Sequence, residues 1–284
     1  MKKLFILIMA LLSANYAQSQ LLWEISGKGV KKSYIFGTNH LAPATFLDSV
    51  PNIYKAFNST QVVVGEILMS GKNLNDTIMQ YATMPQSVSL KSLFSESDYA
   101  LIDSAVQKML QINLSDIARL KPAMIMMMYE QAVFDRIFPK NDGFQLDSYF
   151  QQIAEMQNKP VFALETAEQQ SALLFGNKPL ERQAQLLLES IKDSAELEHS
   201  INAVVSLYEK GDIEALLVEY KNDKSVSAHE KNELLDDRNL LWAEKIIPII
   251  KQNSAFIAVG ALHLAGENGV INLLKKKGLK VKLM

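Results

Sequence analysis

Two short stretches at opposite ends of the 284-residue chain carry the same chemistry-bearing pattern. The first reads Ser33-Tyr-Ile-Phe-Gly37-Thr-Asn-His40-Leu41-Ala42, the second Phe256-Ile-Ala-Val-Gly260-Ala-Leu-His263-Leu264-Ala265. Each is an apolar, β-type run followed by Gly-x-x-His-Leu-Ala. A strand that stops at Gly and presents His just beyond its end is a site-building device of α/β folds, in which ligands sit past the carboxyl ends of strands. Two further apolar runs, Gln61–Ile67 and Val161–Leu164, deliver Glu66 and Glu165 in the same way. Two imidazoles with one or two carboxylates suit a divalent transition metal of the manganese, cobalt or zinc class better than calcium or magnesium. Such an ion lowers the pKa of a bound water, a spare carboxylate takes the proton, and Arg238 would face the developing oxyanion. Plainer roles stand beside these. Glu66 can cap a helix or pair with Arg238, Glu165 can accept from the helix that follows it, and Arg238 can be a surface partner. His199 and His229 lie in polar contexts and read as solvated.

The elements that must position these groups can be read in order. Leu21–Ser26 and Ser33–Thr38 flank Gly27-Lys28-Gly29 and predict a hairpin. Gln61–Ile67 has the continuous β-branched character of a strand buried on both faces. From Leu74 to Ile137 the apolar spacing is helical, with Pro122 opening a Met-rich segment that packing explains better than a ligand groove. Gly143–Ala154 predicts another helix, Thr166 with Gln169 a capping box, and Leu234–Ile250 a helix that Pro248 kinks or ends. The strand Ala255–Val259, the second histidine motif, the helix Gly269–Lys277 and a last strand Leu279–Leu283 close the chain. Strands separated by helices predict an α/β fold with a mixed, largely parallel central sheet and a helical insertion or cap around residues 70–158.

Composition bounds the class. Lys2 and Lys3, the apolar stretch Leu4–Leu12 and small residues to Ser19 predict a signal peptide over residues 1–19, followed by a single domain over 20–284. That placement implies export to a periplasm or the cell exterior, with no membrane span left after cleavage. The chain has no cysteine, which excludes disulfides, thiol catalysis and Cys-ligated metals. A net charge of −2 gives no basic face for nucleic acid.

Seven pieces together resemble the TraB/PrgY/GumN family, whose animal relatives are the Tiki proteases. They are Leu22-Trp23-Glu24-Ile25, Tyr34–Leu41, Val62–Glu66, Gly143 with Asp147, Leu164–Thr166 with Gln169-Gln170, Asp237-Arg238-Asn239 with Trp242, and Ala258–Val270. The resemblance implies a fold like that of erythromycin esterases and ChaN-type haem-binding proteins. It also implies a site in which His40, His263 and Glu66 hold metal, Glu66, Arg238 and Asn239 act in catalysis, and Glu165, Asp147, Gly37 and Gly260 support them. The activity implied is metal-dependent hydrolysis of a peptide or protein substrate. The alternatives are a non-enzymatic peptide or haem binder using the same cleft, and a metal-independent esterase. Two positions depart from the family pattern: Ile67-Leu68 after Glu66, and Leu262 before His263.

Overall fold

A computed structural model describes residues 20–40, 42–71, 73–139 and 146–284. The expected leader, Leu41 and Gly143 lie outside the described residues. The chain is a mixed α/β protein. Strands β1 (Leu22–Ser26), β2 (Ser33–Thr38), β3 (Val62–Gly65), β4 (Val161–Ala163), β5 (Ala255–Gly260) and β6 (Lys280–Leu283) form a sheet in the order β4-β3-β5-β2-β1-β6. The β1–β2 hairpin and the β1–β6 pair are antiparallel, whereas β2, β5, β3 and β4 run parallel. Gly29, at φ +77°, makes the hairpin turn with a backbone that favours glycine.

The parallel strands β2, β3 and β5 are buried on both faces, which is why they read as unbroken apolar runs. Phe36 and Phe256 lie on one face, and Phe57 and Phe150 from the helices Ile53–Asn58 and Leu146–Met156 pack against them with centroids 4.7–5.6 Å apart. Trp242, Ile246 and Ile250, at helical spacing on Asp237–Gln252, belong to the same core.

A second core is purely helical. Ile102, Val106, Ile125, Tyr129, Val133, Leu187, Ile191 and Ile201 bring together Glu96–Leu110, Pro122–Ile137, Leu180–Lys192 and Ser194–Glu209. This layer draws on chain before and after β4, while the helix Leu146–Met156 joins the sheet core. On Pro122–Ile137 the buried stripe is Ile125, Tyr129 and Val133. Met124, Met126 and Met128 flank it half-buried, and Met127 is exposed.

Pro248 does not end its helix, which continues to Gln252. Pro248 and Glu244 are both exposed, so water can replace the backbone bond that proline removes. Among the described residues, no helix is long and apolar enough to cross a membrane.

Candidate functional site

The sheet order sets the site. In β4-β3-β5-β2 every strand points the same way, so the residues just past their carboxyl ends form one row: Glu165, Glu66, His263 and His40. The two histidine motifs lie side by side on β2 and β5, offset by one residue, with Gly37 opposite Val259 and Thr38 opposite Gly260. Close approach explains both glycines. A Cβ on Gly37 would stand 3.0 Å from Ala261 Cα and from Leu264 Cδ1. One on Gly260 would meet Glu66 Oε1 at 3.3 Å.

Arg238 is the centre of the row. Its helix opens through a widened turn, Asn232–Asp236, and Leu234 O within that turn accepts from Nη1 at 3.0 Å. Nη2 donates to Glu66 Oε2 at 2.9 Å and to Glu165 Oε1 at 2.5 Å, and Nε donates to Glu165 Oε2 at 3.2 Å. Trp242, one turn further along the helix, lies under the guanidinium at 4.6 Å and against the His263 ring at 4.2 Å. Gln170 Nε2 bridges the two carboxylates at 3.0 Å each. Glu66 is fully engaged, because its other oxygen accepts Gly260 N–H at 2.8 Å.

The same partners fix the His263 tautomer. Asn239 has only its Oδ1 as an acceptor 2.7 Å from Nδ1, so Nδ1 carries the proton. Nε2 is then a lone pair facing Arg238 Nη1 at 3.2 Å. Burial pushes this imidazole down to about 3, against the pull of Glu66 and with the push of Arg238 and His40. It is neutral at physiological pH. Burial opposes the charge on Glu66. His263, Arg238 and His40 favour it and win over Asp147, and the carboxyl lies below its ordinary range. Arg238 is the neighbour that keeps its charge at every pH.

His40 differs from His263. Its Nδ1 pairs with Asp147 Oδ2 at 2.6 Å, and Thr38 Oγ1 donates to Asp147 Oδ1. The Asp147 charge raises the imidazole to about 9, against the cost of desolvation, and Glu66 adds to the rise. The side chain is 61% exposed, so the imidazolium is hydrated as well as paired. Asp147, 11% exposed, is itself held below its ordinary range: burial opposes its charge, but His40 and Thr38 outweigh that.

The structure thus brings all the expected residues to one sheet edge. Of the plainer roles, Glu66 does pair with Arg238. Glu165 turns toward Arg238 rather than capping, since Thr166 and Gln169 close the capping box themselves. Arg238, 14% exposed, is not a surface partner. Three contributors carried no role in the sequence reading. Gln170 falls five residues after Glu165, Trp242 stands four after Arg238 on the same helix face, and Thr38 sits inside the first motif. Only the Arg238–Trp242 spacing is a local signal that could have revealed its partnership.

Fold and site define an α/β protein with an arginine-centred, histidine-flanked cluster at the end of a parallel sheet. The sequence profile of the TraB/PrgY/gumN family matches residues 21–283, and the chain belongs to that family. It is 20% identical to a metalloprotease TIKI homolog of Nematostella vectensis, over 92% of this chain and 66% of that protein. It is 24% identical to metalloprotease TIKI1 of Xenopus tropicalis, over 94% of this chain and 62% of that one. For metalloprotease TIKI2 of the same frog the identity is 23%, over 88% and 57%. The chain therefore spans less than two thirds of the length of these relatives. No solved structure matches.

These names raise the question of metal. The donor chemistry is right, with two imidazoles fixed by oxygen partners at Nδ1 and the Glu66 carboxylate on the neighbouring strand. The placement is not. His263 Nε2 faces Arg238, both Glu66 oxygens are engaged, and among the described residues no three His, Asp or Glu come together as a group that could hold an ion. As arranged, the residues do not fit a bound metal.

Proposed function

We propose that this chain is an exported hydrolase of peptide bonds working at the β4-β3-β5-β2 edge. The observation that carries the reading is the convergence of His263, Glu66 and Glu165 on one buried guanidinium, with the His40–Asp147 pair at the end of the neighbouring strand. The relatives named metalloproteases support peptide or protein as the substrate class.

The residues divide the work by their charge states. His40, protonated at neutral pH and open to solvent, is placed to give a proton to a leaving amine. Arg238 has its five N–H groups on Glu66, Glu165, Leu234 O and His263, so it would serve an oxyanion by exchanging one of these partners for it. Asn239 and Trp242 hold the His263 ring in one tautomer and one plane. Asp147 holds His40 in its charged form. His263 and Glu66, both with lowered pKa values, are weak bases, so activating water is the task these residues leave over. An ion of the manganese, cobalt or zinc class could take His40, His263 and Glu66 as donors only if Arg238 left His263 Nε2 and His40 gave up its proton, which is not the arrangement of these residues.

The test is cleavage of a peptide library by the wild-type protein, His40→Ala and His263→Ala. Each substitution is expected to cost at least about 100-fold in kcat/KM. Retention of a tenth of the activity by either variant would sink the assignment. Chelation followed by Mn²⁺, Co²⁺ or Zn²⁺ separates metal-dependent cleavage from a metal-free route. N-terminal sequencing of protein recovered outside the cytoplasm checks export.

A further inference from the structure

Beside the first histidine motif lies a cavity of about 710 Å³ that none of the proposed chemistry uses. It opens between the loop after β2 and the helices Pro122–Ile137 and Ser194–Glu209. Asn39 and Ala42, which bracket His40 in sequence, form one wall. Phe46, Phe134, Phe138 and Tyr208 line the cavity as well, together with Ile137 and Val205. The rings are set in pairs, Phe46 on Tyr208 at 4.9 Å and Phe134 on Phe138 at 5.0 Å between centroids. Tyr208 Oη donates to Gly37 O at 2.8 Å, which ties this wall to the glycine of the Gly-x-x-His turn. Burial holds the Tyr208 phenol well above its ordinary pKa, so the wall stays uncharged. Phe46 and Phe138 are only half-buried and keep apolar surface turned to the opening.

We propose that this cavity is a specificity pocket for a large apolar side chain of the peptide substrate, placed within about three residues of the bond cut beside His40. The inference rests on the hydrolase reading above. Position follows from chain geometry. Consecutive Cα atoms are about 3.8 Å apart, so the Asn39 and Ala42 wall is one or two residues from His40, and an extended substrate advances about 3.3 Å per residue. Ligand class follows from the lining. Aromatic walls favour an apolar side chain by burial and reject a charged one by desolvation. The cavity is large enough for Phe, Trp, Leu or Met. Glu209 at the exposed rim complements a cationic neighbour on the substrate, such as a free amino terminus or Lys.

The experiment compares peptides that differ only in carrying Phe or Ala at each position flanking the cut, with wild-type protein and Thr45→Trp. Thr45 is exposed and lines the cavity, so its indole can fill the space without entering the core. At one position the wild-type protein is expected to favour Phe over Ala by at least about tenfold in kcat/KM. Thr45→Trp is expected to collapse that ratio toward one. Phe138→Ala, which removes one ring, should lower it as well. Cleavage with no Phe preference at any position, or with the same preference in all three proteins, overturns the pocket and leaves the hydrolase reading standing. If nothing is cut, that reading fails, and binding of the same peptides decides the pocket alone. Tighter binding of the Phe peptide, at least about tenfold and lost in Thr45→Trp, upholds it, and equal binding overturns it.

Discussion

Replacing Arg238 with Gln removes the one cation shared by two buried carboxylates. The Arg238, Glu66 and Glu165 side chains are 14, 9 and 8% exposed, and three hydrogen bonds join the guanidinium to the two acids. Breaking a buried pair from one side costs about 3–5 kcal/mol, because the partner is left charged and dry. The loss should depend on pH, and the sign follows from Glu66. In the wild-type protein its pKa is lowered, so its contribution is fully present above the ordinary value of 4.5 and fades as pH falls through the folded value. In the variant Glu66 loses the Arg238 counter-charge while burial and Asp147 still oppose its charge, so its pKa should move up against the pull that His263 and His40 retain, and its contribution at high pH should shrink. His263, freed from Arg238 and still drawn by Glu66, also takes a proton more readily at low pH. Both responses act in one direction, while His40 keeps its proton in both proteins below about 9. Urea unfolding followed by far-UV circular dichroism should show a deficit of about 3–5 kcal/mol at pH 8. At pH 4.5 it should shrink by about 1.4 kcal/mol for each unit of carboxyl shift. A deficit below about 1 kcal/mol at pH 8, or one equal at both pH values, would refute the reasoning.

The His40 imidazole should titrate near 9 by NMR and fall toward 6.5 in Asp147→Asn. The pair's contribution to stability is fully present between the ordinary Asp value of 3.8 and 6.5, fades at low pH as Asp147 takes a proton and is lost as pH rises through about 9, so the Asp147→Asn deficit should vanish above that value. Asn239→Leu leaves the buried Nδ1–H of His263 without an acceptor and should cost about 1–3 kcal/mol in denaturant unfolding, whereas a neutral result would count against the assigned tautomer. Because Arg238 and an ion compete for His263 Nε2, Arg238→Gln should bind Mn²⁺ at least about tenfold tighter than the wild-type protein by calorimetry. Equal affinity would mean that Arg238 does not guard that nitrogen.

Much of the sheet edge was legible in the sequence, because each of its groups follows an apolar run that must be buried. Glu66, Glu165 and the two Gly-x-x-His turns needed only the rule that parallel strands open their sites at one end. What joins those groups was not legible. Sequence alone left Arg238 as an oxyanion group, a partner of Glu66 or a surface side chain, and could not choose among them, since its bond to Glu66 spans 172 positions and has no local signature. The pairing of His40 with Asp147 and the Gln170 bridge were hidden for the same reason. Local rules served the capping box at Thr166 and Gln169, where both partners lie within one turn. They misjudged Pro248, whose lost hydrogen bond falls on the watered side of its helix.

The place of β5 in the sheet has a consequence for biogenesis. It is the fifth strand in chain order but lies between β2 and β3, in the middle of the sheet. Until it inserts, the early hairpin and the β3–β4 pair share no strand, and each offers an open edge to other chains. The same insertion delivers His263 beside His40 and puts Gly260 N–H on Glu66. Assembly of the cluster and closure of the sheet are therefore one event, which waits for β5. A chain that has made only β1 to β4 holds the first half of the constellation with nothing to complete it, and it is then most in need of a chaperone.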